Sequence, residues 1–431
     1  MTAAGHPRRS RLAGALIATM IVLSVGHALL PWLPGWPAGI VAWSVGALLL
    51  PSVSRYQRVQ VAVMGLVGLA GIALAAAAGD MRWGATLLEG NHTLLAMLAG
   101  VSFLRVVTRT GAAPGEHLPR GRGALYRSIL ATHLFSAIIN ISAVFVIGQR
   151  IADEGRLSTL QAKLLSRAFV AAACWSPLFA AMAVVLHYVP GTNMLAVSVH
   201  NLPLAAALLA WTAWDLGRDP TLADFVGSPV HREALTVPAV LSMLVVALHA
   251  WAEGWSILTV IIVGAASCVC LLRVGRPLVE TRRLLRQHVL RELPRMGGEF
   301  TLFLGAAVLA AGIAALARVY QPDIVLDPVH CTSTIPLFAL LVALTLVGIH
   351  PVISAATMSG LFPTSLSAPD TVAAVVLMAW SVALGTAPIS GATLALQGRF
   401  GIPSVRFLRW NLPFTLCGLV CGSLLLALFD R

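Results

Sequence analysis

The feature that most constrains this chain is a succession of apolar runs, most of them long enough to cross a lipid bilayer. A helix rises 1.5 Å per residue, so about 20 apolar residues traverse a hydrocarbon core of about 30 Å. Such runs lie near 12–30, 37–51, 59–78, 90–108, 163–188, 194–214, 235–251, 255–273, 299–318, 370–396 and 404–429. Their apolar positions are contiguous rather than alternating, which excludes a transmembrane β-barrel. Of the 431 residues, 58% are hydrophobic and 11% charged, against roughly 25% charged in soluble proteins. So few polar side chains do not cover a soluble surface. A cytosolic enzyme, a nucleic-acid reader and a disordered chain are excluded, and the sequence predicts an all-α polytopic membrane protein. The opening RRSRLAGALIATMIVLSVGHALLP reads as the first span rather than a signal peptide, because its apolar run is long and no clear small-residue cleavage site follows.

Charge then orients the spans. Lys and Arg number 29 against 17 Asp and Glu, a net +12, and cytoplasmic loops collect the positive residues. Two further apolar runs, 128–149 and 335–363, decide the topology. If 128–149 crosses fully from a cytoplasmic N-terminus, then Arg273, Arg276, Arg282, Arg283, Arg286, Arg291 and Arg295 fall outside. If it enters and leaves by one face, those arginines lie inside, as do Arg105, Arg109, Arg120, Arg122, Arg127, Arg150, Arg156, Lys163 and Arg167. The same test makes 335–363 a hairpin from the other face, which keeps Arg399, Arg406 and Arg409 inside. Both runs have a turn-capable centre, one at Asn140 and one at Gly348, His350 and Pro351. The expectation is eleven transmembrane helices plus two re-entrant hairpins.

These features recur. Glu89 and Glu299, and Asn140 and His350, stand 210 residues apart, and Pro177 and Pro388 stand 211 apart. Each half reads span, hairpin, Pro-broken span, closing span. Hairpins from opposite faces make the halves an inverted repeat, a pattern of secondary transporters with midplane sites. The expected segments are scaffold helices at 1–84, a first repeat at 85–233, linking helices with a basic segment at 234–298, and a second repeat at 299–431. The broken spans carry the chemistry. Ser176 and Pro177 interrupt the first; Gly385, Thr386, Pro388, Ser390, Gly391 and Thr393 crowd the second. Proline removes an amide donor, glycine permits unwinding, and hydroxyls satisfy the freed groups. A half-helix starting there turns N–H groups and a positive dipole end inward, which favours an anion. Freed carbonyls suit Na⁺ instead.

At these residues the chain resembles the ion transporter superfamily, which includes divalent anion:sodium symporters, arsenite efflux permeases and the large membrane subunits of TRAP transporters. GNHTLLAMLAGVSFL is similar to the span before the first hairpin, and FSAIINISAVFVIGQRIA to the first hairpin tip. GIHPVISAATMSG and LGTAPISGATL are similar to the second hairpin and second broken helix. The resemblance covers most of 85–429 and rests on order and spacing. It implies one site half with Asn140 and Ser142 and another with Ser354, Thr386 and Ser390. It also implies a scaffold part and a transport part, often in a homodimer, working by an elevator motion. The sodium symporters carry Ser-Asn-Thr at each tip; here the first tip reads Ile-Asn-Ile-Ser and the second has no Asn. The coupling ion, Na⁺ or H⁺, therefore stays open.

No acid sits deep in a span: Asp215, Glu253 and Glu299 lie at span ends. His133, His187, His200, His249 and His350 are the remaining titratable candidates, and His350, at a hairpin tip, is placed to act in coupling or gating. The alternative is a neutral histidine bonded to backbone. Cys174, Cys268, Cys270, Cys417 and Cys421 lie in apolar runs and Cys331 in a loop; the Cys268/Cys270 and Cys417/Cys421 spacings allow a metal, yet no His or carboxylate lies nearby in sequence, so they read as packing residues. Residues 277–293 form a basic amphipathic stretch at the membrane surface. Trp32, Trp36, Trp83, Trp211, Trp214, Trp251, Trp255 and Trp410 stand near span ends, as an aromatic belt requires. No motif for ATP use or hydrolysis appears, and no cofactor is implied. The expected protein is not an enzyme but a cation-coupled carrier of a small carboxylate or oxyanion, in the cytoplasmic membrane with its N-terminus inside. An efflux permease for a toxic oxyanion shares that fold. An enzyme acting on lipid-linked substrates would have to use Asp80, Glu89, Asp323, Asp327 and His330.

Overall fold

The computed structural model describes residues 7–30, 32–89, 91–107, 118–228, 236–252, 254–320, 331–361 and 368–429. Arg109, Glu253, Asp323, Asp327 and His330 lie outside the described residues. The regular elements are helical: α1 (Pro7–Leu29), α2 (Trp36–Leu49), α3 (Arg55–Ala77), α4 (Trp83–Glu89), α5 (His92–Ser102), α6 (Gly121–Ile139), α7 (Ile141–Ile151), α8 (Thr159–Ala172), α9 (Ala180–Tyr188), α10 (Met194–Leu216), α11 (Thr236–Trp251), α12 (Ile257–Arg273), α13 (Leu278–Gln287), α14 (Gly297–Tyr320), α15 (Cys331–Leu346), α16 (Pro351–Leu361), α17 (Pro369–Ala383), α18 (Gly391–Phe400) and α19 (Val405–Phe429).

Among the described residues, six helical stretches are long and apolar enough to cross a membrane: Arg8–Leu29, Arg55–Ala77, Leu87–Val106, Met194–Leu216, Leu278–Tyr320 and Val405–Leu428. Val22, Leu66 and Leu424 on such helices are 61–70% exposed. A surface of this kind is soluble in lipid rather than in water, and the chain is a multi-pass helical membrane protein in outline. Serine and asparagine caps fix where helices begin. Ser54, Ser158, Asn193 and Ser256 each accept from a first-turn N–H, and Ser158 with Gln161 completes a capping box at α8.

Some boundaries differ from those read in the sequence. The first hairpin segment runs over 121–151 rather than 128–149, because α6 starts at Gly121, before its apolar run begins. Cys331 opens α15 instead of lying in a loop. The basic stretch is α-helical to Gln287 and continues as a π-helical turn over His288–Glu292 and a 3-10 turn over Leu293–Met296.

The chain divides into two compact units. Unit 1 comprises 1–109, 236–324 and 356–365; unit 2 comprises 110–235, 325–355 and 366–431. Within unit 1, α3 packs along α14. A Cβ on Gly312 would lie 2.1 Å from the Gly68 carbonyl oxygen, and one on Gly68 would lie 2.3 Å from that of Val308. The helix backbones touch there, which only glycine permits.

Within unit 2 the element order recurs. The α6/α7 junction at Asn140 and the residue before α16, His350, stand 210 residues apart. α8, α9 and α10 are matched by α17, α18 and α19 at offsets of 210–211 from their first residues. Packing recurs as well: α6 lies on α8 and α10, and α15 lies on α17 and α19. The closing helices each contain an internal proline, Pro203 in α10 and Pro413 in α19, again 210 apart.

Candidate functional site

Every residue singled out in the sequence for substrate binding, coupling or gating belongs to unit 2. Two interruptions organise them. The first, 173–179 (ACWSPLF), separates α8 from α9; the second, 384–390 (LGTAPIS), separates α17 from α18. Each is seven residues long, with its proline fifth, so the two breaks share one local design.

The first break is tied to the hairpin turn. Asn140 has φ +52° and ψ −139°, a positive-φ backbone outside the left-handed helical basin that non-glycine residues rarely adopt. Its Oδ1 accepts from the Ala180 N–H at 2.9 Å and its Nδ2 donates to the Leu178 carbonyl at 3.2 Å. Phe179, at the N-cap of α9, offers no side-chain cap, so Asn140 caps that half-helix from another element. Ser176 Oγ donates to the Ala137 carbonyl and accepts from the Leu178 N–H. Ser142 is buried in the first turn of α7. Thus Asn140 and Ser176, expected to face substrate, here hold the break against the hairpin.

The second break is built differently. Ser390 caps its own half-helix, accepting from the Thr393 N–H at 3.1 Å. Thr393 Oγ1 donates to the Ala387 carbonyl at 2.8 Å. Thr386 Oγ1 meets Thr415 Oγ1 at 2.7 Å, and Thr415 donates to the Val382 carbonyl. Gly385 lies close to Val170 and Ser166 of α8. Gly391, which opens α18, has open space where a side chain would be, and the first-turn N–H groups of a helix have no helical partner.

The turn between α15 and α16 lies against the second break. Gly348, at φ +102°, sends its N–H to the Thr345 carbonyl, and Ile349 sends its N–H to that of Leu344. This pair is a Schellman motif, which needs a left-handed residue after the helix. His350 then caps α16, its Nδ1 accepting from the Val352 N–H at 3.3 Å, and Pro351 takes the first helical position. The His350 ring packs edge-on against Trp380 at 5.4 Å. Thr345, Gly348, His350 and Ser390 line a cavity of about 10 Å³, room for about one water. Among the described residues Ser354 Oγ is buried without a partner.

Histidine chemistry divides between the two turns. His133 on α6 accepts from Trp175 Nε1 at 3.1 Å, so its Nδ1 carries the proton that points to the Ala168 carbonyl at 3.2 Å. It is a neutral, backbone-bonded ring. His350 differs, since its Nδ1 acts as an acceptor toward a backbone N–H.

Sequence reading missed the residues that lock the breaks together. Asn201 of α10 donates to the Cys174 carbonyl in the first break at 3.0 Å and to the Ala374 carbonyl of α17 at 3.4 Å. Asn411 of α19 donates to the Gly385 carbonyl in the second break at 2.7 Å and to Ser166 Oγ of α8 at 2.9 Å. Each closing helix therefore pins its own broken helix and also reaches its counterpart's. The two asparagines are 210 residues apart, the spacing that would have found them. Arg167, 1% exposed, joins this network. Its Nε donates to Asn411 Oδ1 at 2.8 Å, its Nη1 to Asp215 at 2.6 Å and its Nη2 to the Trp410 carbonyl at 2.7 Å. All three guanidinium nitrogens are occupied, so Arg167 is a clamp rather than an open anion receptor.

Of the residues an enzyme acting on lipid-linked substrates would use, Asp80 is engaged in ion pairs, while Asp323, Asp327 and His330 lie outside the described residues. Arg318 and Arg82 bond to Asp80 and hold its carboxyl down at about 2, which leaves it charged and committed. Compared with protein-family models and with curated proteins, the chain matches none.

Proposed function

We propose that this chain is a secondary active transporter of a small anion, a carboxylate or oxyanion, driven by a cation gradient. The observation that carries the proposal is the pair of seven-residue helix interruptions in one unit, each pinned by an asparagine of its own closing helix that also bonds to the opposite broken helix. Such breaks place backbone N–H groups, carbonyls and hydroxyls at mid-helix, and irregular backbone within a membrane is tolerated only where it is buried in protein or lines a cavity, as transporter sites do. On this reading the recurrence at 210 residues is an inverted repeat, and the segments around Asn140 and His350 are re-entrant hairpins from opposite faces. Unit 2 is then the transport part, unit 1 the scaffold, and alternating access is of elevator type.

First-turn N–H groups of α9 and α18 that no cap takes supply donors for an anion; the hydroxyls of Ser390 and Thr393, bonded here to each other and to the Ala387 carbonyl, add theirs once the break opens. His350 and the break carbonyls supply a place for H⁺ or Na⁺. Asn140 is spent on Ala180 and Leu178 and the hairpin cavity holds about one water, which suits a closed, substrate-free state that must open to load. The protein would sit in the cytoplasmic membrane with its N-terminus inside, as a homodimer of such units. An efflux permease for a toxic oxyanion uses the same machinery with the opposite flux.

Uptake into proteoliposomes tests this. Labelled small carboxylates and oxyanions, supplied under an imposed Na⁺ or proton gradient, should include at least one that accumulates only with the gradient. Accumulation should fall at least ten-fold in Ser390→Ala combined with Thr393→Val. Failure of every anion under both gradients and in both directions would contradict the proposal.

A further inference from the structure

A second site stands apart from the breaks, within unit 1. The face of α13 and the π-turn after it present Arg282, Arg283, Arg286 and Arg291, and the start of α1 adds Arg11. With Gln287 these arginines line a cavity of about 660 Å³, in the size range of small-ligand sites. Among the described residues no carboxylate lines it. The nearby acids are engaged elsewhere: Glu280 with Arg273 at 3.3 Å, and Glu292 with Arg295 at 2.8 Å and Arg105 at 3.5 Å. Orienting the chain requires only that arginines lie on one side of the membrane. It does not require five of them to converge, without an acid, on one cavity, where they repel one another.

The surface beside the cavity is apolar. Leu278 and Val279 at the start of α13 are 85% and 82% exposed, and Val274 just before it is 76% exposed. A helix with bare apolar residues beside a cluster of arginines lies in the headgroup region of a bilayer, with its apolar side toward the acyl chains. We propose that this cavity is a binding site for the phosphate headgroup of an anionic phospholipid, whose acyl chains run over Leu278, Val279 and Val274. Guanidinium groups bind phosphate oxygens in pairs, and several arginines around one phosphodiester give charge as well as geometry. A free phosphate shares the charge chemistry but uses neither the apolar rim nor most of the volume. This site is independent of the transport reading, since it involves no residue of unit 2.

The test uses the full chain, purified in detergent. Thermal unfolding and native mass spectrometry are compared with added phosphatidylglycerol, cardiolipin, phosphatidylcholine, glycerol phosphate and inorganic phosphate. The expected result is retention of phosphatidylglycerol or cardiolipin at least ten-fold tighter than phosphatidylcholine, with a matching rise in Tm. The variant Arg282→Gln/Arg283→Gln/Arg286→Gln should lose that preference while keeping the wild-type Tm in phosphatidylcholine. Should the triple variant fail to fold, Leu278→Ser/Val279→Ser serves in its place: it should weaken lipid retention and leave the response to soluble phosphates unchanged. Equal retention of anionic and zwitterionic lipid by the wild type overturns the proposal. So does a preference that survives the triple variant, or a Tm rise that glycerol phosphate or inorganic phosphate reproduces in full.

Discussion

Replacing Gly312 by leucine should abolish the folded protein. At the α3–α14 crossing a Cβ on Gly312 falls 2.1 Å from the Gly68 carbonyl oxygen, and one on Gly71 falls 2.8 Å from that of Gly312. These contacts are to backbone, so no rotamer change relieves them. The helices must separate, and the packing along their whole length is lost. Overpacking a core with methylenes costs about 1–3 kcal/mol where side chains yield. Here the backbone has to move, and the expected cost is about 4 kcal/mol or more, at the level of exceptional single substitutions. Gly312→Ala already places the offending atom and should lower Tm sharply. Gly65, on the same helix as Gly68, has open space around it, and Gly65→Ala should be tolerated. Size-exclusion profile and Tm report the contrast. A stable, monodisperse Gly312→Leu would show that the two helices do not cross where described.

The second large effect is expected at Arg167. This buried guanidinium holds Asn411, Asp215 and the Trp410 carbonyl at once, and Asn411 in turn holds the second break at Gly385. Removing one member of a buried ion pair strands the other and costs about 3–5 kcal/mol. Asp215 is partly exposed, which moderates that figure, whereas the lost bonds to Asn411 and Trp410 restore it. Arg167→Met should therefore destabilise by about 3 kcal/mol. Arg167→Lys keeps the charge but cannot present three donors in a fork, so it should recover only part of the stability. Gradient-driven uptake should fall in both variants, because the break loses its anchor. Full stability in Arg167→Lys would mean that charge alone matters and that the bond to Asn411 holds nothing.

Much of this arrangement was readable from residue order. Apolar runs gave the helices because a membrane span leaves no choice about its composition. Gly348, His350 and Pro351 announced the second turn, since a left-handed residue, a capping side chain and a proline at the first helical position form a local code. Pro177 and Pro388 announced the breaks for the same reason. What stayed hidden depends on partners distant in sequence. Arg167 reads as a loop charge beside Lys163 and Arg156, yet the Ser158 cap starts α8 at Thr159 and carries Arg167 two turns into the buried helix. Asn140 reads as a substrate ligand, and only the fold shows it capping α9, forty residues on. Asn201 and Asn411 look like isolated polar residues in apolar helices until their carbonyl partners in the two breaks are seen.

The central claim is that the segments around Asn140 and His350 enter and leave the membrane by the same face, each from its own side. Single cysteines at their flanks test this most directly, in a variant without the native cysteines and labelled from either side by a membrane-impermeant thiol reagent. Arg120→Cys and Glu154→Cys bracket the first segment; Thr332→Cys and Ala368→Cys bracket the second. The account predicts that the first pair labels only from the cytoplasmic side and the second pair only from the opposite side. Members of either pair labelling from different sides would make that segment a full span and contradict the account.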